Sequence, residues 1–335
     1  MSGAVPAKSM AVDLTSGSIT KTILRFSWPM ILSNTLQMVY TLVDMAVVGK
    51  FVGKEGLSAV TNGGDLTTLI TFICFGFATA GQVIIAQHLG SGRGDRLTRI
   101  IGTMFSSLLL TSLGLSVLGL FLVDWALALL NVPEAAFVMA RQYTACCFTG
   151  LFFIYGYNIA SAILRGMGDS MRPLVFIAIA AVANAILDFL FVAGFHWDAL
   201  GAALATVLSQ GFSFLFSIVY LYRRRESFGF DFRPRSFAID ASVLRSLLRL
   251  GLPIALEMGV IQASRMFVYA YINVYGVAAS AAWNPEATLP LLPGRRLTVA
   301  YHTRQIGWDM GVREYEKTGW SQNQVDPGSH PHELR

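Results

Sequence analysis

Charge is scarce in this sequence. Only 13% of its 335 residues are Asp, Glu, Lys or Arg, where a soluble domain carries about 25%. With 54% hydrophobic residues and a mean hydropathy of +0.55, this scarcity excludes a freely soluble globular chain. Cysteine is scarcer still. Cys74, Cys146 and Cys147 all lie in apolar runs. Adjacent cysteines rarely bridge and no CxxC pair is present, so neither a disulfide scaffold nor structural zinc is expected. Enzyme signatures are missing too: HExxH, GxSxG and the Walker A loop do not occur. GSGRGD at 90–95 joins two apolar runs with no strand before it, so it is not a dinucleotide loop. Its Arg93-Gly94-Asp95 tripeptide is read as a plain turn. His88 and His196 stand alone at the ends of apolar runs, with no nucleophile beside them. No cofactor, no metal centre and no enzyme activity are expected. Residues 1–20 are polar, and the apolar run after them is too long for a signal peptide.

Long apolar runs fill most of the chain. Leu24–Val48 has 25 residues, roughly 37 Å of helix at about 1.5 Å per residue, and about 20 suffice to cross a bilayer. Its opening LRFSWPMIL (24–32) returns as LRLGLPIAL (248–256), with Leu, Arg, Pro and Leu in register. An internal repeat is the simplest reading. Further spans are expected near Leu57–Leu89, Ile100–Val123, Glu134–Leu164, Pro173–Phe195, Ala199–Tyr222 and Val243–Val277. The second begins with the weakly apolar TNGGD (61–65), so its outer end is expected to be broken or to line water. The fourth exceeds what a bilayer needs and should tilt. The fold class is therefore all-α integral membrane. Its parts are a polar cytoplasmic lead (1–21), a six-helix lobe (22–222), a cytoplasmic loop (223–242), the first helix of a second lobe (243–282) and an irregular tail (283–335) that is expected to be disordered.

Lys and Arg set the orientation. The lead and the loops after spans 2, 4 and 6 hold 3, 3, 2 and 7 of them, whereas the other side holds only Lys50 and Lys54. Positive residues stay inside, so the N-terminus is expected in the cytoplasm and the protein in the cell (inner) membrane. The net charge of +5 is thus a topology signal, and nucleic acid is not an expected partner.

Two acids, Asp44 and Asp188, lie within the apolar runs of the first six spans. A carboxylate at membrane depth costs roughly 2.5–3.5 kcal/mol on insertion scales, so each is a functional candidate. Gln37, Tyr40 and Asp44 are spaced by three and four and share one helix face. Asn184 and Asp188 are an i,i+4 pair on span 5, where the amide can bond the acid or help hold a cation. Thr206 and Gln210 form a similar polar pair on span 6, and Tyr143, Tyr155 and Asn158 mark span 4. Such residues turn inward in a helix bundle, either to line a cavity or to bond neighbouring helices. Arg141 is the one candidate counter-ion within these spans. An acid that passes between buried and hydrated settings can take up and release a proton. Glu257 and Arg265 on span 7 stand two turns apart, as a structural pair or a functional one.

Residues 20–282 resemble the MATE family, the multidrug and toxic compound extrusion transporters, in particular the bacterial and archaeal branch with acids in the first lobe. The resemblance rests on LVDMAVVGKFVGKEGLSAV, ASAILRGMGDSMRPL, NAILDFLFVAGFHWDALGAALATVLSQ and GLPIALEMGVIQ, in order and each on its expected helix or turn. It implies twelve spans in two inverted-V lobes of six, related by a pseudo-two-fold axis about a central cavity of alternating access. It also implies antiport, with uptake of H+ or Na+ driving export of small cationic amphiphilic compounds. Asp44, Asp188 and Asn184 would couple to the cation, with a possible Na+ held there. Tyr40, Gln37, Tyr143, Asn158, Thr206 and Gln210 would line the cavity. No coupling role passes to Glu257. The tail after Ala282 does not resemble the family, so a truncated or frameshifted second lobe is expected. Three other readings stay open: a fragment that inserts but does not transport, a flippase for lipid-linked saccharides on the same fold, and a seven-span receptor.

Overall fold

The computed structural model describes residues 19–91, 96–225 and 230–282. The lead up to residue 18, the Arg93-Gly94-Asp95 turn and the tail from 283 lie outside the described residues. Every regular element among the described residues is helical. In chain order they are α1 (Ile19–Phe51), α2 (Lys54–Gly90), α3 (Leu97–Leu129), α4 (Glu134–Thr149), α5 (Leu151–Gly166), α6 (Met171–Asp188), α7 (Asp198–Arg223), α8 (Ala241–Asn273) and a short α9 (Val277–Ala282). Pro29 and Pro253, the two prolines of the internal repeat, each fall inside a helix of 33 residues.

Five of these helical stretches are long and apolar enough to cross a membrane: those of α1, α2, α3, α6 with its continuation, and α7. The bent pair α4–α5 supplies a sixth. The long span 4 is expected from its length to tilt or protrude. It breaks at Gly150, where α4 and α5 meet at 49°. α7 crosses so close to this break that a β-carbon on Gly150 would strike the Val207 side chain. α8 is as long as α1 and α3, but Arg245, Arg249, Glu257 and Arg265 dilute its apolar composition. It lies along α2 instead of standing apart.

α5 is the axis of the core. Leu151, Tyr155, Ile159, Ala160, Ile163 and Leu164 are fully buried, with α2, α3 and α7 packed around them. Apolar residues on every face make it a helix that can only sit inside. The turn after it, Arg165–Ser170, closes on Gly168 at φ 88°, a left-handed conformation that glycine adopts without strain. Arg165 Nε donates to Gln82 Oε1 at 3.1 Å and so ties the ends of α5 and α2 together.

The loop between α7 and α8 docks on the start of α3. Ser106 Oγ donates to the Phe237 carbonyl at 2.6 Å, and the Asp240 amide donates to Thr103 Oγ1 at 3.0 Å. Asp240 then caps α8, accepting from the Ser242 and Val243 amides. The Ser242 hydroxyl, those amides and Arg99 hold its carboxyl below the usual carboxylate range. The three basic loops thus gather at one end of the bundle, and the α3–α4 turn and α9 lie at the other.

The TNGGD segment departs from expectation. It is not broken: α2 runs through it without interruption, with Gly64 and Asp65 half-buried. Its polarity serves packing. Gly63 lets Tyr143 and Thr144 approach, and Asn62 is fully buried in a network described below.

Candidate functional site

α1 packs along α6, and α7 closes the third side. Asp44 sits on α1, 5% exposed, with Oδ1 bonded to nothing. Asp188 is the last residue of α6 before the backbone changes character. It is fully buried and neither carboxyl oxygen has a partner. One turn earlier, Asn184 is fully buried and both its amide atoms lack partners. Of the two roles open to the Asn184 amide, a bond to Asp188 or a part in holding a cation, the first is not made: the two side chains share a face and stay unsatisfied. Asp44 and Asp188 lie within electrostatic reach of each other.

Beyond Asp188 the helix widens. Phe189–Gly194 form a π-helical turn, and the Phe195 amide bonds back to Leu190. π-turns concentrate at functional sites, because the extra residue re-aims the side chains beside it. Here it lies directly after the buried acid.

The remaining candidates divide. Tyr40 Oη meets Thr206 Oγ1 at 3.1 Å, joining α1 to α7 beside the two acids. Tyr143, 5% exposed on α4, faces Asp44, Tyr40 and Cys147. Gln210 is half-buried and its Oε1 has no partner. Asn158 is buried but spends its amide on its own helix, donating to the Ile154 carbonyl at 2.8 Å. Gln37 is not brought in: its side chain is exposed. Tyr155 is structural, donating to the Ile70 carbonyl of α2 at 2.8 Å. Arg141 is not a counter-ion to the acids, because it pairs with exposed Asp124 across the α3–α4 turn. Glu257 is exposed and forms no ion pair with Arg265 among the described residues. Cys74 and Cys147 are buried free thiols and Cys146 is half-buried, as their apolar runs imply. No group of three or more His, Cys, Asp or Glu residues is placed to hold a metal ion among the described residues.

Sequence reasoning passed over a second polar cluster. Asn273 Nδ2 donates to Asn62 Oδ1 at 2.8 Å and to the Leu130 carbonyl at 2.7 Å. Ser58 and Ser280 share a hydrogen bond of 2.6 Å, and Tyr269 Oη donates to the Ser280 carbonyl at 2.8 Å. All five side chains are buried. The Asn in TNGGD was the available signal, but beyond Ser58 its partners Asn273 and Ser280 lie more than 200 residues away.

A bundle of membrane-length helices enclosing two buried acids defines a multi-pass membrane protein. The MatE family model matches residues 29–190, so this part of the chain carries a MatE domain. Probable multidrug resistance protein YpnP of Bacillus subtilis (strain 168) is 33% identical over 266 residues, covering 79% of this chain and 59% of the relative. Probable multidrug resistance protein YoeA of the same organism is 32% identical over 292 residues, covering 84% and 63%. The chain thus spans about three-fifths of the length of these curated relatives. Among solved structures, the outward-facing conformation of a multidrug resistance MATE family transporter of the MOP superfamily matches with a TM-score of 0.75. It is 24% identical and covers 90% of this chain and 63% of that one. The inward-facing conformation of such a transporter matches at 0.69, with 23% identity and 85% and 62% coverage. At these identities the two structures establish the fold.

Proposed function

We propose that this chain supplies the first lobe, and the opening helix of a second, of a cation-coupled antiporter that exports small cationic amphiphilic drugs. One observation carries the reading. Asp188 and Asn184 present four buried polar atoms with no protein partner, and Asp44 faces them from α1. Side chains left unsatisfied at membrane depth are expensive. They are retained where something else completes them, here a proton or Na+ as the transported ion. The ion moves the equilibrium between cavity states only if it binds one state better. The π-turn after Asp188 supplies a backbone that can differ between states. Tyr40, Tyr143, Thr206 and Gln210 form the aromatic and polar wall against which an organic cation would rest. The multidrug names of the relatives support this cargo. A flippase for anionic lipid-linked saccharides fits less well, because acids rather than bases face inward.

The loop charges put the N-terminus in the cytoplasm and the protein in the cell membrane as a multi-pass chain. The test is ethidium accumulation in cells expressing a version of the chain with a complete second lobe. Export above vector control is expected, lost in both Asp44→Asn and Asp188→Asn. Imposed proton and Na+ gradients in vesicles separate the coupling ions. Undiminished export by both variants would sink the assignment.

A further inference from the structure

A second cavity lies away from the acids. It holds about 540 Å³ between α3, α5, α7 and the α7–α8 loop, and apolar residues alone line it. Phe153, Leu208, Gly211 and Phe212 form its wall, and Phe232 and Phe237 close its end at the basic loops. Along α7 the groove runs from Val207 to Ile218, roughly 16 Å of helix. That is about the depth of one leaflet, half of a hydrocarbon core of about 30 Å.

Charge stands at the closed end. Phe232 contacts the Tyr222 ring at 5.6 Å, and the Arg225 guanidinium lies 5.0 Å above that same ring. Arg233 follows Phe232 directly and is 80% exposed, its Nε 3.4 Å from Asp231 Oδ2. Asp231 also accepts from Ser236 and Arg233, so its charge is spread over several donors. Two exposed guanidinium groups therefore flank the aromatic end of an apolar groove one leaflet deep. From 223 to 240 the sequence carries five arginines against Glu226, Asp231 and Asp240.

We propose that this groove binds an anionic glycerophospholipid, one acyl chain lying between α3, α5 and α7 and the phosphate resting on Arg225 and Arg233. The apolar wall takes the chain whatever the headgroup. The arginines supply the preference for negative charge, about 1 kcal/mol for each basic residue at a membrane surface. The site is separate from the acids and stands whether or not the chain exports drugs.

The full chain carrying Phe212→Trp tests it, reconstituted with brominated phosphatidylglycerol or brominated phosphatidylcholine, with the parent chain giving the background of native tryptophans. Phosphatidylglycerol should quench the added tryptophan with a relative binding constant roughly fivefold or more above that of phosphatidylcholine. Arg225→Gln with Arg233→Gln should bring the ratio near one while quenching persists. Gly211→Leu should lower quenching by both lipids, since a β-carbon there meets only the Phe153 ring at 3.7 Å and the added bulk fills the groove. Equal quenching by the two lipids, or a ratio indifferent to the paired Gln variant, overturns the site. So does quenching unaltered by Gly211→Leu. A tryptophan that neither lipid quenches also overturns it and assigns the groove to a protein neighbour.

Discussion

Asn184 is the side chain that packing alone explains least. It is fully buried on α6 and both amide atoms lack partners, a state that costs about 1–3 kcal/mol where the environment is apolar. A leucine has similar volume and no polar atoms. Asn184→Leu is therefore expected to raise stability by about 1–3 kcal/mol, read as a higher melting temperature in detergent, while ethidium export falls. That opposition of stability and activity marks a functional site rather than a packing site. A lower melting temperature would mean that a bound water or ion already satisfies the amide. At this scale the sequence was partly legible. Spacing of four put Asn184 and Asp188 on one face, and the intramembrane cost of an acid singled out Asp44 and Asp188. Gln37 has the same helical relation to Tyr40, yet it is exposed. Periodicity assigns a residue to a face but does not say what stands opposite. Arg141 misled for a related reason. Its partner, Asp124, is 17 residues earlier across a turn, and only the fold brings the two together.

Elements here meet through small residues. On α8, Gly251 and Ala255 are four apart and face α2 at Phe77 and Gly76. A β-carbon on Gly76 would lie 2.5 Å from the Ala255 amide nitrogen and 2.7 Å from its α-carbon. Backbone cannot yield as a side-chain tip can, so the helices would have to part. Two membrane helices gain little from apolar burial and depend on such close approach. Gly76→Val is expected to cost about 1–3 kcal/mol by overpacking and to lower the melting temperature. Gly64, which meets nothing within 4 Å, is the control, and its Ala variant should be near neutral. A Gly76 variant as stable as that control would refute close α2–α8 packing. Element existence was easy to read because apolar runs of this length have few alternatives. The break at Gly150 and the π-turn at Phe189–Gly194 were not. Both depend on a neighbour, α7 at Val207 in one case and the packing around Asp188 in the other. The break expected within TNGGD does not form, because its polar residues bind other helices while α2 stays continuous.

For the whole molecule, the decisive fact is that α8 is fastened to the first lobe at three heights. At the basic end, Thr103 and Ser106 hold the loop that leads into it. At mid-height Gly76 admits Ala255. At the far end Asn273 bonds Asn62 and Leu130. The first two anchors are backbone docking and shape, but the third is a buried polar bond that can be measured. Such bonds between membrane helices average about 0.6 kcal/mol and reach about 1.7, because the unfolded helix in lipid also finds partners. Asn62→Ala and Asn273→Ala, alone and together, form a double-mutant cycle whose coupling should fall in that range. The singles should also differ. Asn273→Ala strands both the Asn62 oxygen and the Leu130 carbonyl, whereas Asn62→Ala leaves Asn273 its bond to Leu130. Asn273→Ala is therefore the more destabilising of the two. A coupling near zero would mean that the Asn62–Asn273 bond adds nothing to the other contacts on α8, the 3.0 Å bond from Gln262 to Asp65 among them, and the reverse order would mean that the bonds of Asn62 to Ser58 and Ser280 outweigh it. The predicted result makes α8 part of the first body in both stability and motion.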